Sequence, residues 1–278
     1  MSGWLLTHSA SIMSWSLQAG LVVAFVLESI FPRRHLLTPR VPRWWQQLAL
    51  LIIGSLLTRL CFPLAAVSLA VLASQNHWGL FNLAALPFPA SLLFGVIVLD
   101  GSTYALHRLF HFFPLLWRFH QVHHADLDVD CGTAVRHHPG EALIGQAYEL
   151  SVIAIFGVAP IAVVIWLVVT LIVDIFNHAN LALPASVDRR LRWLIVTPDM
   201  HRIHHSADWL ESNRNFGNFL PWWDYVFATY LPAPDAGQLQ MELGLAYLRS
   251  SEELSLRKLL VLPFKSLVSA QVSETVRI

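Results

Sequence analysis

The histidines are the residues of this sequence that are best suited to carry out chemistry. The 278-residue chain has 14 histidines, and eleven of them fall between positions 107 and 205. They form one H-x-x-x-H pattern at 107–111 and two H-x-x-H-H patterns at 120–124 and 201–205. Residues three or four positions apart share a helix face, so each pattern can direct at least two imidazoles at one point. Because so many clustered imidazoles need partners, we interpret them as a metal site.

Two further histidines have contexts that suit metal ligands. His138 precedes Pro139, and His178 lies in an Asn-His-Ala-Asn segment, whereas His137 is more typical of a residue that supports a ligand or faces the surface. A single zinc or iron takes about three or four protein ligands in a catalytic site, so this many imidazoles favours two ions. Imidazole binds iron, zinc, copper and nickel alike, so the residues do not name the metal. The candidate ligands are His107, His111, His120, His123, His124, His138, His178, His201, His204 and His205.

Membrane-spanning helices must position these residues. The chain is 55% hydrophobic and 13% charged, whereas soluble domains carry about 25% charged residues. Apolar runs near the length of about 20 residues that a spanning helix needs occur at 13–31, 47–73 and 89–106. The stretch 143–176 is too long for one span, and Gly157 and Pro160 at its middle predict a helical hairpin. We predict an all-α, multi-span membrane protein in which Pro63 kinks the second span.

The distribution of basic residues predicts the orientation in the membrane. Arg33, Arg34, Arg40 and Arg43 lie between the first two spans, whereas residues 1–12 and 74–90 contain no lysine or arginine. The positive-inside rule places this arginine segment in the cytoplasm. The third span returns to that side, and the hairpin keeps all the histidine patterns there. We therefore predict a histidine-rich metal cap on the cytoplasmic face.

The chain divides into three predicted regions. Residues 1–90 hold the N-terminal spans, 91–232 form the metal domain including the hairpin 143–176, and 233–278 form a tail. In the tail, Ser250 and Glu253 suit a capping box before alternating apolar and basic residues, which predicts an amphipathic helix at the interface or a surface helix. The formal net charge of zero gives no basic surface for nucleic acid.

The order of the motifs resembles a known family. After H-x-x-x-H and H-x-x-H-H come R-x-H-P at 136–139, N-H-x-N at 177–180 and the last H-x-x-H-H. This order, from about Leu99 to Tyr230, resembles the fatty acid hydroxylase and sterol desaturase superfamily of membrane di-iron enzymes. The resemblance implies that the ten candidate histidines ligate two iron ions (Fe2+/Fe3+), with no catalytic residue beyond the ligands. It also implies O2-dependent hydroxylation or desaturation of a lipid, such as a fatty acyl chain or sterol, in lipid biosynthesis.

Two other functions would use the same histidines. A zinc-dependent membrane enzyme is one, although no H-E-x-x-H occurs in the sequence. A metal transporter is the other. It predicts ionisable residues along the membrane interior, but Glu28 and Arg59 are the only charged residues within the first two spans. If the family resemblance holds, we expect electrons from a separate donor protein, cytochrome b5-like or ferredoxin-like, because the sequence shows no cytochrome b5-like segment. The sequence does not indicate which lipid is the substrate.

Overall fold

The computed structural model describes residues 2–265, which are helical with no β-strand among them. The longer helices are α1 (Ser9–Ile30), α2 (Arg40–Cys61), α3 (Ala66–Gln75), α4 (Phe88–Phe112), α5 (Pro114–His124), α6 (Pro139–Phe156), α7 (Pro160–His178), α8 (Ala185–Leu191) and α9 (Pro198–His204). Short helices are also present at Ser2–Thr7, Leu80–Leu83, Trp209–Ser212, Trp222–Val226 and Leu256–Val261, with 3-10 turns at Cys131–Val135, Ser251–Leu254 and Leu262–Phe264.

Four helical segments of the described chain are long and apolar enough to cross a membrane. They are Ser9–Ile30, Arg40–Leu83, Phe88–Phe112 and Pro160–His178. Large apolar side chains such as Val22, Leu56 and Leu93 are exposed on them, as expected where the solvent is lipid rather than water. The chain is therefore a helical membrane protein.

The second span is interrupted, which differs from the prediction of a kinked but continuous helix over 47–73. Helix α2 ends at Cys61, and α3 begins only at Ala66. Phe62 has φ −125° and ψ 81°, outside the helical region. The cause is Pro63, which lacks an N–H donor and pushes the residue before it out of the helical conformation. A proline at this position therefore ends the helix instead of bending it.

The apolar stretch 143–176 consists of two helices, α6 and α7, that turn at Gly157. Gly157 is left-handed, with φ 63° and ψ 47°, and a Cβ there would lie 2.3 Å from the carbonyl oxygen of Trp78. Both the conformation and the close approach favour glycine. Helices α3 and α4 each pack against both arms of this turn. Buried residues at its core include Leu99, Ile153 and Val163.

The arginine segment lies on the same side of the molecule as the histidines and is joined to the polar cap there. Arg43 is buried, and its guanidinium donates to Asp126 at 2.8 and 2.9 Å and to Asp130 at 2.9 Å. Arg33 pairs with Asp199 of α9 at 2.9 Å. These arginines therefore bridge the first two spans to the cap.

The tail contributes a short helix that packs on the protein. Residues 233–250 contain no helix, and Leu256–Val261 is the one α-helix between residues 233 and 265. Leu259 of this helix is completely buried, in a cluster with Leu50 and Val122. The described part of the tail is thus a packed surface element, and residues 266–278, within the predicted amphipathic region, lie outside the described residues. The boundaries of the three predicted regions remain predictions.

Candidate metal centre

Four helices bring the histidines together at one end of the spanning bundle. The last turns of α4 carry His107 and His111, and α5 begins two residues later and carries the first H-x-x-H-H. His178 ends α7, while α9 carries His201 and His204, followed by His205. The two prolines that open α5 and α9 occupy the first helical turn, where proline fits without loss of a hydrogen bond.

The structure brings nine of the ten predicted ligands into two adjacent groups. Within each group the potential ligand atoms lie within 4.8 Å of one another. All nine rings are buried except that of His107, which is half-buried. The first group is His107, His111, His120, His124 and His204, and the second is His123, His178, His201 and His205.

Each H-x-x-H-H pattern supplies both groups. In α5, His120 and His124 point into the first group while His123 points into the second. In α9 the assignment is reversed, because the i,i+4 pair enters the second group and His204 enters the first. Each of these two short helices therefore contributes rings to both groups, which keeps the groups next to each other.

The ring nitrogens converge as ligands around a cation do. Nε2 of His107 lies 3.1 Å from Nε2 of His120, and Nε2 of His124 lies 3.2 Å from Nε2 of both His111 and His120. With metal–nitrogen bonds of about 2.0–2.1 Å, adjacent ligands of one ion are separated by roughly 3.0–3.4 Å. The first group therefore has the spacing of a coordination shell.

Hydrogen bonding among the rings does not account for the second group. Nε2 of His178 lies 3.2 Å from that of His123, 3.1 Å from that of His201 and 3.3 Å from that of His205. A ring nitrogen has either one proton to donate or one lone pair to accept, so it cannot satisfy three such neighbours. A cation bound among the four nitrogens satisfies all of them, so the residues fit a metal ion.

The opposite edges of several rings fix which nitrogen faces the groups. Nδ1 of His107 donates to the carbonyl oxygen of Phe216 at 2.8 Å, and Nδ1 of His204 donates to that of Arg214 at 2.9 Å. Nδ1 of His178 donates to the carbonyl oxygen of Asp174 at 2.8 Å. Because a carbonyl oxygen only accepts, Nδ1 carries the proton and Nε2 has its lone pair available for a metal.

Burial also keeps the histidines that lie outside the spanning helices in their neutral form, which is the form that binds metals. It lowers the pKa of His123, His124, His201, His204 and His205 well below the usual value of imidazole, and repulsion from neighbouring histidines lowers it further. These rings are therefore neutral near pH 7, which is the form that coordinates metals.

His138 is not part of either group, contrary to the prediction from its position before Pro139. It is the N-cap of α6, where its Nδ1 accepts from the backbone N–H of Gly140 at 2.9 Å. Its Nε2 lies 3.2 Å from the carbonyl oxygen of Leu260. His137 instead stacks on His123, with ring centroids 4.6 Å apart. At the start of α6 the ring of His137 therefore faces the histidine groups, whereas the ring of His138 faces the tail.

Two of the acidic residues near the histidine patterns contact rings. Oε1 of Glu141 accepts from Nδ1 of His120 at 2.7 Å and from Nδ1 of His137 at 3.1 Å. A carboxylate oxygen of Asp174 lies 3.4 Å from Nδ1 of His178. Outer carboxylates of this kind orient ligand rings. Asp100, Asp199 and Asp224 bind other partners, namely Trp223, arginines and backbone amides.

Sequence reasoning missed the backbone that orients the rings. The carbonyl groups of Arg214 and Phe216 belong to a turn in which Asn215 has a positive φ of 54°. Asp224 holds this turn by accepting from the N–H groups of Phe216 and Gly217, both at 2.8 Å. The Asn-Phe-Gly-Asn sequence at 215–218 is a turn signal that could have indicated it.

A cavity of about 150 Å³ borders the histidines on the side of the membrane helices. Its walls include His107, His123 and His178 together with Thr103 and Asn218. A second cavity of about 380 Å³ extends from it between α2, α4 and α6. The two cavities share the wall residues Leu106, Phe110, His137 and Glu141.

The fold and the site define a membrane protein with a buried histidine centre that fits metal ions. A sequence profile described as fatty acid hydroxylase matches residues 92–229. The chain belongs to the fatty acid hydroxylase family through this region, which contains all nine grouped histidines.

Individual relatives match over part of their length. The chain is 30% identical to an ornithine lipid hydroxylase, OlsE, of Rhizobium tropici over 177 residues, 62% of this chain and 51% of the relative. It is 25% identical to an alkylglycerol monooxygenase of Xenopus tropicalis, over 56% of this chain and 34% of the relative. It is 27% identical to a very-long-chain aldehyde decarbonylase, GL1-4, of Oryza sativa subsp. indica, over 54% and 24%. The matched region thus spans about half of the first of these relatives and about a third or less of the other two. No solved structure matches the chain.

Proposed function

We propose that this protein is a membrane-bound, O2-dependent oxidoreductase that hydroxylates a C–H bond of a lipid, with two iron ions as its cofactor. The observation that carries the proposal is the pair of adjacent imidazole groups, five rings and four rings, beside cavities lined by membrane helices. Bound iron would supply the power to oxidise an unactivated C–H bond with O2. The protein supplies ligation, orientation and a site from which water is excluded.

The chain's own residues have distinct parts in this proposal. Carbonyl groups and Glu141 hold the Nδ1 protons, so that Nε2 faces the metal. Leu106 and Phe110 contribute the apolar part of the wall that the two cavities share. An acyl chain or sterol entering between the helices would reach the histidines along these two side chains. Two of the relatives named above are a lipid hydroxylase and a monooxygenase, which favours hydroxylation over desaturation.

We further propose that the site faces the cytoplasm and takes electrons from a separate donor, cytochrome b5-like or ferredoxin-like. The argument for sidedness is the arginine segment, which lies on the same side as the histidines. A cysteine introduced at the exposed Glu252, in a chain whose Cys61 is serine, tests it. The cysteine should react with an impermeant maleimide in inverted vesicles and not in right-side-out vesicles; the opposite pattern refutes the orientation.

The reaction is tested with purified protein and with cells. Metal analysis should give close to two irons per chain, and incubation with 18O2, a reductant and cell lipids should produce a lipid that carries the heavy oxygen. Lipid profiles of cells with and without the gene identify that product. Stoichiometric zinc without redox activity would instead support a zinc enzyme, and an alkene without incorporated oxygen would indicate desaturation.

A further inference from the structure

The larger cavity has a polar end that the proposed reaction does not use. Near the histidines its walls include Leu106 and Phe110 beside His137 and Glu141. Farther along α6 they include Gln146 and Glu149. Glu149 lies eight residues beyond Glu141 on the same helix, which is about 12 Å at 1.5 Å per residue. Across the cavity, α2 contributes polar side chains, including Thr58, three residues before α2 ends at Cys61.

Glu149 has an unsatisfied carboxyl oxygen at this end. Its Oε1 is buried and has no hydrogen-bond partner among residues 2–265. A buried polar atom without a partner costs free energy, and an ionisable group among membrane helices costs more. Such groups are kept where they bind a ligand or serve a pathway. The cavity around Glu149 has room for a ligand group.

We infer that Glu149 recognises a hydrogen-bond donor of the lipid substrate, a hydroxyl or an ammonium, at a position about 12 Å along α6 from Glu141. The inference rests on the proposed lipid oxidation and adds a substrate class to it. A donor group satisfies the carboxyl oxygen, whereas an ester oxygen or a carboxylate has no proton to donate. The substrate therefore carries its polar group at the far end of the cavity, and its hydrocarbon part passes Phe110 to the histidines.

Binding of three lipids with equal acyl length tests this assignment without requiring turnover. The probes are hexadecan-1-ol, hexadecylamine and methyl palmitate, each titrated into metal-loaded protein in detergent while Tm is followed. A donor probe should bind at least about tenfold more tightly than the ester, as expected for a hydrogen bond to a carboxylate. The tighter of the two donors identifies the group as hydroxyl or ammonium.

Variants of the same helix supply the decisive comparison. Glu149→Leu should remove the preference for donors, while Ser151→Ala, on the exposed opposite face, should retain it. Gly145 also lines the cavity, and a Cβ there meets nothing within 4 Å. Gly145→Leu should therefore fold, retain its metal and weaken all three probes alike.

The results separate this inference from the proposed function. A donor preference that persists in Glu149→Leu with normal metal content, or no preference in the unmodified protein, overturns the role of Glu149 even if lipid oxidation is observed. A preference that depends on Glu149 supports the binding site even if no oxidised lipid is found. If Glu149→Leu does not fold, Glu149→Gln takes its place, and it should bind hexadecylamine about tenfold more weakly if the donor is an ammonium.

Discussion

Replacing Glu141 with glutamine or alanine should weaken metal binding, because one oxygen of this carboxylate orients a ring of the first group. Oε1 accepts from Nδ1 of His120 at 2.7 Å and from Nδ1 of His137 at 3.1 Å. Glutamine can place its one carbonyl oxygen where Oε1 lies, but this neutral oxygen is a weaker acceptor than a carboxylate oxygen. Alanine offers no acceptor, so the ring of His120 loses the partner that fixes its tautomer.

The size of the effect follows from these contacts. A hydrogen bond to a charged group contributes about 1.5–3 kcal/mol. Loss of the outer partner of a metal-bound histidine typically costs about 10–100-fold in metal affinity, or roughly 1.4–2.8 kcal/mol. We expect about tenfold weaker binding for Glu141→Gln, which keeps one acceptor, and up to about 100-fold for Glu141→Ala.

Competition with a chelator measures this loss directly. Iron retained per chain is followed against increasing chelator for each variant, with Tm recorded for the same samples. Glu211→Gln is the matched control, because Glu211 is also buried in the cap but accepts from the N–H of Asp235 and contacts no ring. If Glu141→Gln retains iron as strongly as the control, the carboxylate does not support the metal centre and the assignment is wrong.

Three further changes have definite expected outcomes. Arg43→Met should lower the free energy of unfolding by about 3–5 kcal/mol, measured by denaturant titration, because it removes the closest cation from two buried carboxylates; a change below 1 kcal/mol would refute the buried network. Gly157→Ala should lower Tm, because a Cβ collides with backbone, whereas Gly145→Ala should leave Tm unchanged or higher. His204→Ala should lower metal content and abolish turnover, whereas His138→Ala should keep full metal content; equal losses would return His138 to the ligand set.

The convergence of the histidines could be predicted from their spacing, but their division could not. Residues i and i+4 share a helix face, which is why His120 and His124 stay together. The residue between them, His123, lies in the other group, where it meets His178 of α7 and His205 at the end of α9. These contacts depend on tertiary packing, which short patterns along the chain do not contain.

The position of His138 outside both groups has a local explanation in the sequence. A residue directly before a proline at the first helical position is the N-cap, and its side chain is often used to bind the next amides. His138 does so through Gly140. The pattern R-x-H-P thus permits a ligand motif, but the same residues also indicate the start of a helix.

For the arginines, the sequence predicts a side of the membrane but not the residues that they bind. Their position between two spans indicates a side of the membrane, but their partners are far away in sequence. Arg43 reaches Asp126 and Asp130, more than 80 positions later, through contacts that only the folded cap creates. Pro63 is a similar case, since proline in a spanning run permits either a kink or a stop, and the structure has a stop.

The exchange of rings between α5 and α9 has a consequence for how the centre fills. Each of these short helices contributes to both groups, so the rings that would hold an ion in one group restrain both helices at the positions that the other group needs. We therefore expect the two ions to load together. In a titration of the metal-depleted protein, chains holding a single ion should be scarce beside empty and filled ones.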